Sequence, residues 1–213
     1  MASWAAASQG DHPGQARLSL RSGRRLEYLT IGWNVVEAVV SVIAGALAGS
    51  TALIGFGIDS AIESSSGAAL LWRLQEREGH ADRERTTLRL VGVSFLLLAA
   101  YVGFEAARAL VVHDAPSPSI LGIGIAIASL IVMPLLASRK RALALQLDSR
   151  ALHADSRQTS LCAYLSAILL GGLALNAGLG WWWADSVAAL VMTPIIAGEG
   201  IEALRGEHCD DCV

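Results

Sequence analysis

Two acidic residues interrupt a long apolar stretch of the chain. Asp59 and Glu63 lie four residues apart within residues 45–74, and this spacing places both side chains on one face of a helix. A charged side chain at the centre of a membrane helix costs about 2.5–3.5 kcal/mol on insertion scales, and two neighbouring carboxylates also repel each other. Because a divalent cation or a shared proton would remove both penalties, the pair predicts half of a cation site inside a membrane.

A second polar stripe lies further along the chain. It consists of Asp155, Gln158, Thr159 and Cys162, at positions i, i+3, i+4 and i+7, which is the spacing of one helix face. With a rise of about 1.5 Å per residue, Gln158 lies near the depth of Glu63 and Cys162 near that of Asp59. Asp155 lies closer to the cytoplasm. The stripe therefore predicts the other half of the site.

Glu37 is a third acid within an apolar stretch. If the first two stretches form an antiparallel hairpin, Glu37 and Glu63 each lie about ten residues from the same membrane surface, so Glu37 is predicted to face Glu63. An alternative is a protonated Glu37, or an ion pair with an arginine such as Arg157. That alternative is weaker for Asp59 and Glu63, because their spacing repeats the cost on one face.

Apolar helices must position these residues. The chain of 213 residues is 54% hydrophobic and 16% charged, whereas soluble domains carry about 25% charged residues. The charges are concentrated between apolar stretches of roughly 20 residues, the length that crosses a bilayer. We therefore predict an all-α membrane protein with six transmembrane helices, at residues 27–47, 51–73, 90–112, 120–137, 147–175 and 186–204.

The distribution of basic residues predicts the orientation. Lysine and arginine are concentrated in a polar arm, two loops and the tail, which are residues 1–26, 73–89, 139–150 and 205–213. The other turns lack basic residues, so the positive-inside rule places both termini in the cytoplasm. The predicted domains are a disordered arm at 1–26, a six-helix transmembrane domain at 27–204, and a cytoplasmic tail at 205–213. The expected location is the cell (inner) membrane, as a multi-pass protein.

Several classes of function are not supported. No segment is basic and aromatic enough to indicate nucleic acid binding, and no nucleophile–base pair indicates an enzyme. Three cysteines do not form a disulfide framework. The tail contains His208, Cys209 and Cys212; a metal delivery or sensing site and a chance occurrence are equally good interpretations of it. Glu105 and Arg108, at i and i+3, are predicted to form a structural ion pair.

These motifs resemble the cation diffusion facilitator family, whose members have six transmembrane helices and cytoplasmic ends. The second helix of that family carries two acids four apart after a Gly/Ser-rich turn and an Ala-Leu pair; here the corresponding segments are residues 49–53 and 59–63. The family's fifth helix reads Ala-Asp-x-x-His-x-x-x-Asp. Ala154 and Asp155 match its first pair, so the resemblance puts Gln158 and Cys162 at its two ligand positions.

The chain also departs from the family pattern. Glu63 replaces the usual second aspartate, Gln158 replaces a histidine with a weak carbonyl donor, and Cys162 replaces an acid with a thiol. Glu37 is available to strengthen the site. The resemblance covers residues 27–204 and does not include the family's cytoplasmic C-terminal domain, so we expect a short member with the transmembrane domain only.

These residues suggest a mechanism. A cation passes Asp155 and displaces protons from Asp59, Glu63 and Cys162, because metal ligands must be deprotonated. Rocking of the helices then exposes the site to the other side, which gives metal export by proton antiport. Zinc is the first candidate because a thiolate favours a softer ion; cadmium, iron, manganese and cobalt are alternatives.

Two other functions fit the same residues. One is a membrane metal sensor or scaffold that binds without transporting, and the other is a proton-coupled exporter of small organic cations. The expected partners are a divalent metal ion, protons and the lipid bilayer. A homodimer through transmembrane helices rich in small residues is a further hypothesis.

Overall fold

The computed structural model describes residues 13–75, 81–147 and 150–205. These residues form six α-helices and contain no strand, so the all-α prediction is confirmed. The helices are α1 (Pro13–Ala48), α2 (Thr51–Gln75), α3 (Ala81–Val112), α4 (Ile120–Leu147), α5 (Arg150–Leu179) and α6 (Ala184–Arg205).

Five of the six helices contain a segment long and apolar enough to cross a membrane. These segments are Ser22–Ala48, Arg89–Val112, Ile120–Gln146, Asp155–Leu179 and Ala184–Arg205. The protein is therefore an integral, multi-pass membrane protein. Helix α2 has 25 residues, which is long enough to cross. It is not among the five because Asp59, Glu63 and a run of serines at 64–66 make it more polar than its neighbours.

Several helices extend beyond their predicted ends. Helix α1 begins at Pro13, so residues 13–26 are helical, whereas they were predicted to be disordered. Helix α4 continues to Leu147 through the predicted loop at 139–146. Arginine, lysine, leucine and alanine favour helix, so a polar helix end does not require the helix to stop. Residues 1–12 and 206–213 lie outside the described residues, and so does the tail with His208, Cys209 and Cys212.

One end of the bundle carries the short turns between helices, and we call it the short-turn side. Gly49 adopts a left-handed conformation (φ 71°) at the turn between α1 and α2. The Ser50 hydroxyl then caps α2 by accepting a hydrogen bond from the Leu53 N–H (3.1 Å). Asp185, at the start of α6, accepts hydrogen bonds from Ser50 Oγ (2.5 Å) and the Ala52 N–H (3.4 Å). These contacts tie the start of α2 to α6.

The opposite end carries the start of α1 and the end of α6, and we call it the termini side. Helix α2 packs against α1, α3, α5 and α6, so protein covers much of its surface. Its contact with α1 is especially close at Gly57, where a Cβ atom would lie 2.9 Å from the Val42 nitrogen and 3.0 Å from the Ala38 oxygen. Small residues allow such close approach of membrane helices. The polar face of α1 therefore lies directly against the acidic face of α2.

Candidate cation site

The two acids of α2 face the interior of the bundle. Asp59 is 6% exposed and Glu63 is 4% exposed, one helical turn apart. Of the described charged groups, Glu63, Glu199 and Glu37 act most strongly on Asp59, and all three repel its negative charge. A carboxylate in this position has no compensating charge from these neighbours, which favours a proton or a cation beside it.

Glu37 brings α1 to the same interior region. It is fully buried, and its Oε2 accepts hydrogen bonds from Ser60 Oγ (2.9 Å) and Cys162 Sγ (3.7 Å). These bonds connect α1, α2 and α5 at one point. Glu37 is also close enough to Glu63 for the two carboxylates to repel each other. The structure therefore places Glu37, Glu63 and Cys162 around a common space.

Glu63 has polar neighbours on two other helices. Its Oε1 accepts a hydrogen bond from the Thr159 hydroxyl of α5 (3.0 Å). The Asn34 amide of α1 faces the same carboxylate and stabilises its negative charge. Buried polar groups are almost always hydrogen-bonded. Asn34 and Thr159 therefore hold the Glu63 carboxylate from two helices.

The polar stripe of α5 is divided between two places. Thr159 and Cys162 contact the acids described above. Gln158 is half-buried, and its Oε1 lies 3.5 Å from Ser66 Oγ of α2. Asp155 is buried, but it forms an ion pair with Lys140 of α4 (2.5 Å).

Lys140 lies inside the bundle, although the sequence assigned it to a basic loop. Its side chain is 0% exposed and forms a second ion pair with Glu27 of α1 (3.1 Å). Its ammonium also donates to Thr159 Oγ1 (3.4 Å). Three adjacent basic residues at 139–141 gave no sign that the middle one is buried. Glu27, an acid at the predicted start of the first span, is the residue that could have indicated a buried basic partner.

The remaining ionic predictions have simple outcomes. Arg108 and Glu105 form the predicted ion pair (3.0 Å) at the surface. Arg157 was considered as an ion-pair partner of Glu37. It is exposed, and it attracts the carboxylate of Glu199.

The acids do not form a coordination sphere in this structure. Among residues 13–75, 81–147 and 150–205, no three histidine, cysteine, aspartate or glutamate side chains are placed to hold a metal ion together. Asp59, Glu63 and Glu37 nevertheless lie close enough to Cys162 to act on its thiol, so the four residues share one interior region.

Comparison with known proteins gives the family. The family model for the cation efflux transmembrane domain matches residues 28–206. Transmembrane protein 163 of Xenopus laevis is 25% identical over 195 residues, which cover 90% of this chain and 69% of that protein. An uncharacterized transporter of Synechocystis sp. is 25% identical over 197 residues, which cover 88% of this chain and 64% of the transporter, less than two thirds of its length. Because the family model matches most of the chain, as the sequence motifs predicted, the protein belongs to the cation efflux family of transmembrane cation transporters.

Proposed function

We propose that this protein transports divalent metal cations, zinc first among them, out of the cytoplasm in exchange for protons. The observation that carries the proposal is the environment of Asp59. This carboxylate is buried in the bundle, and Glu37, Glu63 and Glu199 all repel its charge. Such a cluster is stable when it holds a positive charge, which a substrate cation or protons can supply.

The proposed ligands come from three helices. Asp59 and Glu63 of α2 and Cys162 of α5 are the principal donors, and Glu37 of α1 supplies a further carboxylate. Gln158 is half-buried beside α2, where its carbonyl oxygen is a weaker donor. Asp155 lies nearer the termini side, paired with Lys140, and contributes negative charge along the path to the site.

Helix α2 would be the sixth membrane span. It has the required length, and its polar residues face other helices rather than lipid, since α1, α3, α5 and α6 surround it. Polar residues inside a membrane protein usually face the bundle interior. Six spans would place both termini on one side, which the positive-inside rule assigns to the cytoplasm of the cell (inner) membrane.

Proton exchange follows from the chemistry of the ligands. Carboxylates and thiols bind metals in their deprotonated form, so metal binding releases protons and protonation releases metal. If the helices rock so that the site opens to one side at a time, an inward proton gradient drives metal outward. The proposed partners are therefore divalent metal ions, protons and lipid.

The nature of the donors favours zinc. Cys162 Sγ lies against Glu37, so sulfur and oxygen donors share the site, and Zn²⁺ accepts both. Manganese and ferrous iron prefer oxygen donors, whereas cadmium favours sulfur; these ions and cobalt are the alternative substrates.

A transport assay tests the proposal directly. The protein is reconstituted into vesicles that contain a zinc-sensitive dye, with and without a pH gradient. We expect Asp59→Asn to abolish zinc flux, because it removes a donor and its charge while conserving the shape of the side chain. Glu105→Gln is the matched control, since Glu105 forms a surface ion pair away from the site, and it should transport normally.

The same assay separates other functions. Unaltered zinc flux in Asp59→Asn would contradict the site assignment. Zinc binding without flux in the wild-type protein would indicate a sensor or scaffold. If calorimetry detects no stoichiometric binding of divalent cations, a proton-coupled exporter of small organic cations becomes the better interpretation.

Association of two copies through membrane helices is a separate proposal. Gly32, Gly124, Gly171 and Gly178 lie on the outer surface of the bundle with open space at the Cβ position, and exposed glycines permit close contact between membrane helices. Cross-linking in native membranes should then give a dimer. A product that is monomeric at every cross-linker concentration would contradict it.

A further inference from the structure

Lys140 is a buried cation that the transport mechanism above does not use. Its side chain is 0% exposed, in a helix that is long and apolar enough to cross a membrane. Ionisable residues in such positions are costly and usually functional. Two carboxylates compensate its charge, Glu27 from α1 and Asp155 from α5. The triad of Glu27, Lys140 and Asp155 joins three helices on the termini side of the acids.

A hydrogen-bonded chain leads from this triad to the site. Lys140 Nζ donates to Thr159 Oγ1 (3.4 Å), and the Thr159 hydroxyl donates to Glu63 Oε1 (3.0 Å). The hydroxyl has one proton and two acceptors within reach, because the Asp155 carbonyl oxygen lies 3.1 Å from Thr159 Oγ1. The ammonium repels that proton, and a carboxylate accepts more strongly than a neutral carbonyl. Lys140 thus favours the orientation in which Thr159 donates to Glu63.

We propose that Lys140 is a positioning residue of the cation site. Held by Glu27 and Asp155, it orients the Thr159 hydroxyl, which fixes the Glu63 carboxylate one turn from Asp59 in readiness for the substrate cation. The inference rests on the proposed transport function, and it adds a residue that the α2 and α5 motifs do not contain. Partners that orient metal ligands typically change metal affinity by about 10- to 100-fold when removed.

A purely structural role for Lys140 predicts a different behaviour. A buried ion pair that only joins helices can be replaced by neutral residues of similar volume with little loss of stability, whereas removal of one partner leaves a buried charge. The neutral variant Glu27→Gln/Lys140→Met/Asp155→Asn removes all three charges together. The unfolding temperature of this variant reports the contribution of the triad to stability, and its zinc affinity reports the effect of the triad on Glu63.

The experiment measures zinc affinity by calorimetry and thermal unfolding of the purified full chain in detergent. We expect the neutral triple variant to unfold close to the wild-type temperature but to bind zinc about 10- to 100-fold more weakly. Asp155→Asn alone is the control for any direct contribution of that carboxylate, and it should weaken binding less than the triple variant.

Thr159 provides a test that leaves the triad in place. Thr159→Val removes the hydroxyl at nearly constant shape and should weaken zinc binding by about 10-fold or more. Thr159→Ser retains the hydroxyl and should bind within a few-fold of the wild type. If the triple variant does not fold, wild-type affinity in Thr159→Val still overturns the proposal, because Lys140 reaches Glu63 through this hydroxyl.

The outcomes distinguish this inference from the proposed function. Wild-type affinity in Thr159→Val, or in a folded triple variant, would overturn the positioning role while leaving transport through Asp59 intact. Equal weakening of zinc binding in Thr159→Val and Thr159→Ser would also overturn it, because the loss of affinity would then not depend on the hydroxyl. An absence of zinc binding in the wild-type protein would instead refute the proposed function, and this inference with it.

Discussion

At the scale of single residues, the environment of each acid determines its role. Asp59 and Glu63 are one turn apart on α2, yet acids surround Asp59, whereas Glu63 has a hydroxyl donor and lies near Lys140. Glu37 is shared between a serine and a thiol. The two acids of the motif are therefore not equivalent. Asp59 depends most on an added positive charge, and Glu63 is already held in place.

Cys162 is the residue through which the choice of metal is most directly tested. We expect Cys162→Ala to lower the apparent affinity for zinc by at least about tenfold, because it removes the sulfur donor, and to change manganese transport much less, because manganese prefers oxygen donors. Uptake of the two ions in competition measures the effect. The variant Cys209→Ser/Cys212→Ser is the control for the tail thiols. An equal loss for both ions would mean that Cys162 supports the fold and does not select the metal.

At the scale of helices, the sequence predicted the number of helices and which faces are polar. The apolar stretches predicted all six helices, and the i, i+4 spacing correctly placed Asp59 and Glu63 on a buried face. The ends were less predictable, because α1 and α4 continue through polar residues that still favour helix. The role of Lys140 could not be predicted, since its two carboxylate partners come from α1 and α5. Such contacts depend on packing between helices that are distant in sequence.

The close packing of α1 against α2 leads to a prediction about helix contacts. A Cβ atom at Gly57 would lie within 3.0 Å of the α1 backbone, which cannot yield as a flexible side chain can. We expect Gly57→Ala to separate the two helices, to lower the free energy of unfolding by about 1–3 kcal/mol and to weaken zinc binding. Gly198→Ala is the matched control, because no atom lies within 4 Å of its Cβ position. Unfolding in detergent measures both variants, and equal stability would show that this close contact is not limiting.

At the scale of the whole molecule, its two ends are joined in different ways. On the short-turn side, Asp185 of α6 accepts hydrogen bonds from Ser50 and Ala52 at the start of α2. On the termini side, ion pairs join α4 to α1 and α5. The acids lie between these two sets of contacts, within a bundle whose outer surface is rich in exposed aliphatic side chains. Different kinds of contact therefore hold the helices together on the two sides of the acids.

The course of α2 through the membrane determines whether such a path exists. If α2 crosses, residues before and after it lie on opposite sides, and the positive-inside rule places the later residue in the cytoplasm. Leu47 precedes α2 and Arg89 follows it, and both side chains are exposed. In a background without Cys209 and Cys212, Leu47→Cys should react with an impermeant maleimide added to intact cells. Arg89→Cys should react only after permeabilisation.

The pair of cysteine variants reports on two properties separately. Labelling of both positions from the same side would show that α2 enters the membrane without crossing it, and Asp59 and Glu63 would then not lie on a path between the two sides. Labelling with the sides reversed would retain the crossing but invert the direction of transport. Because Leu47 and Arg89 lie outside the acidic cluster, neither variant removes a proposed ligand. Zinc flux of each purified cysteine variant in reconstituted vesicles can therefore confirm that it is functional.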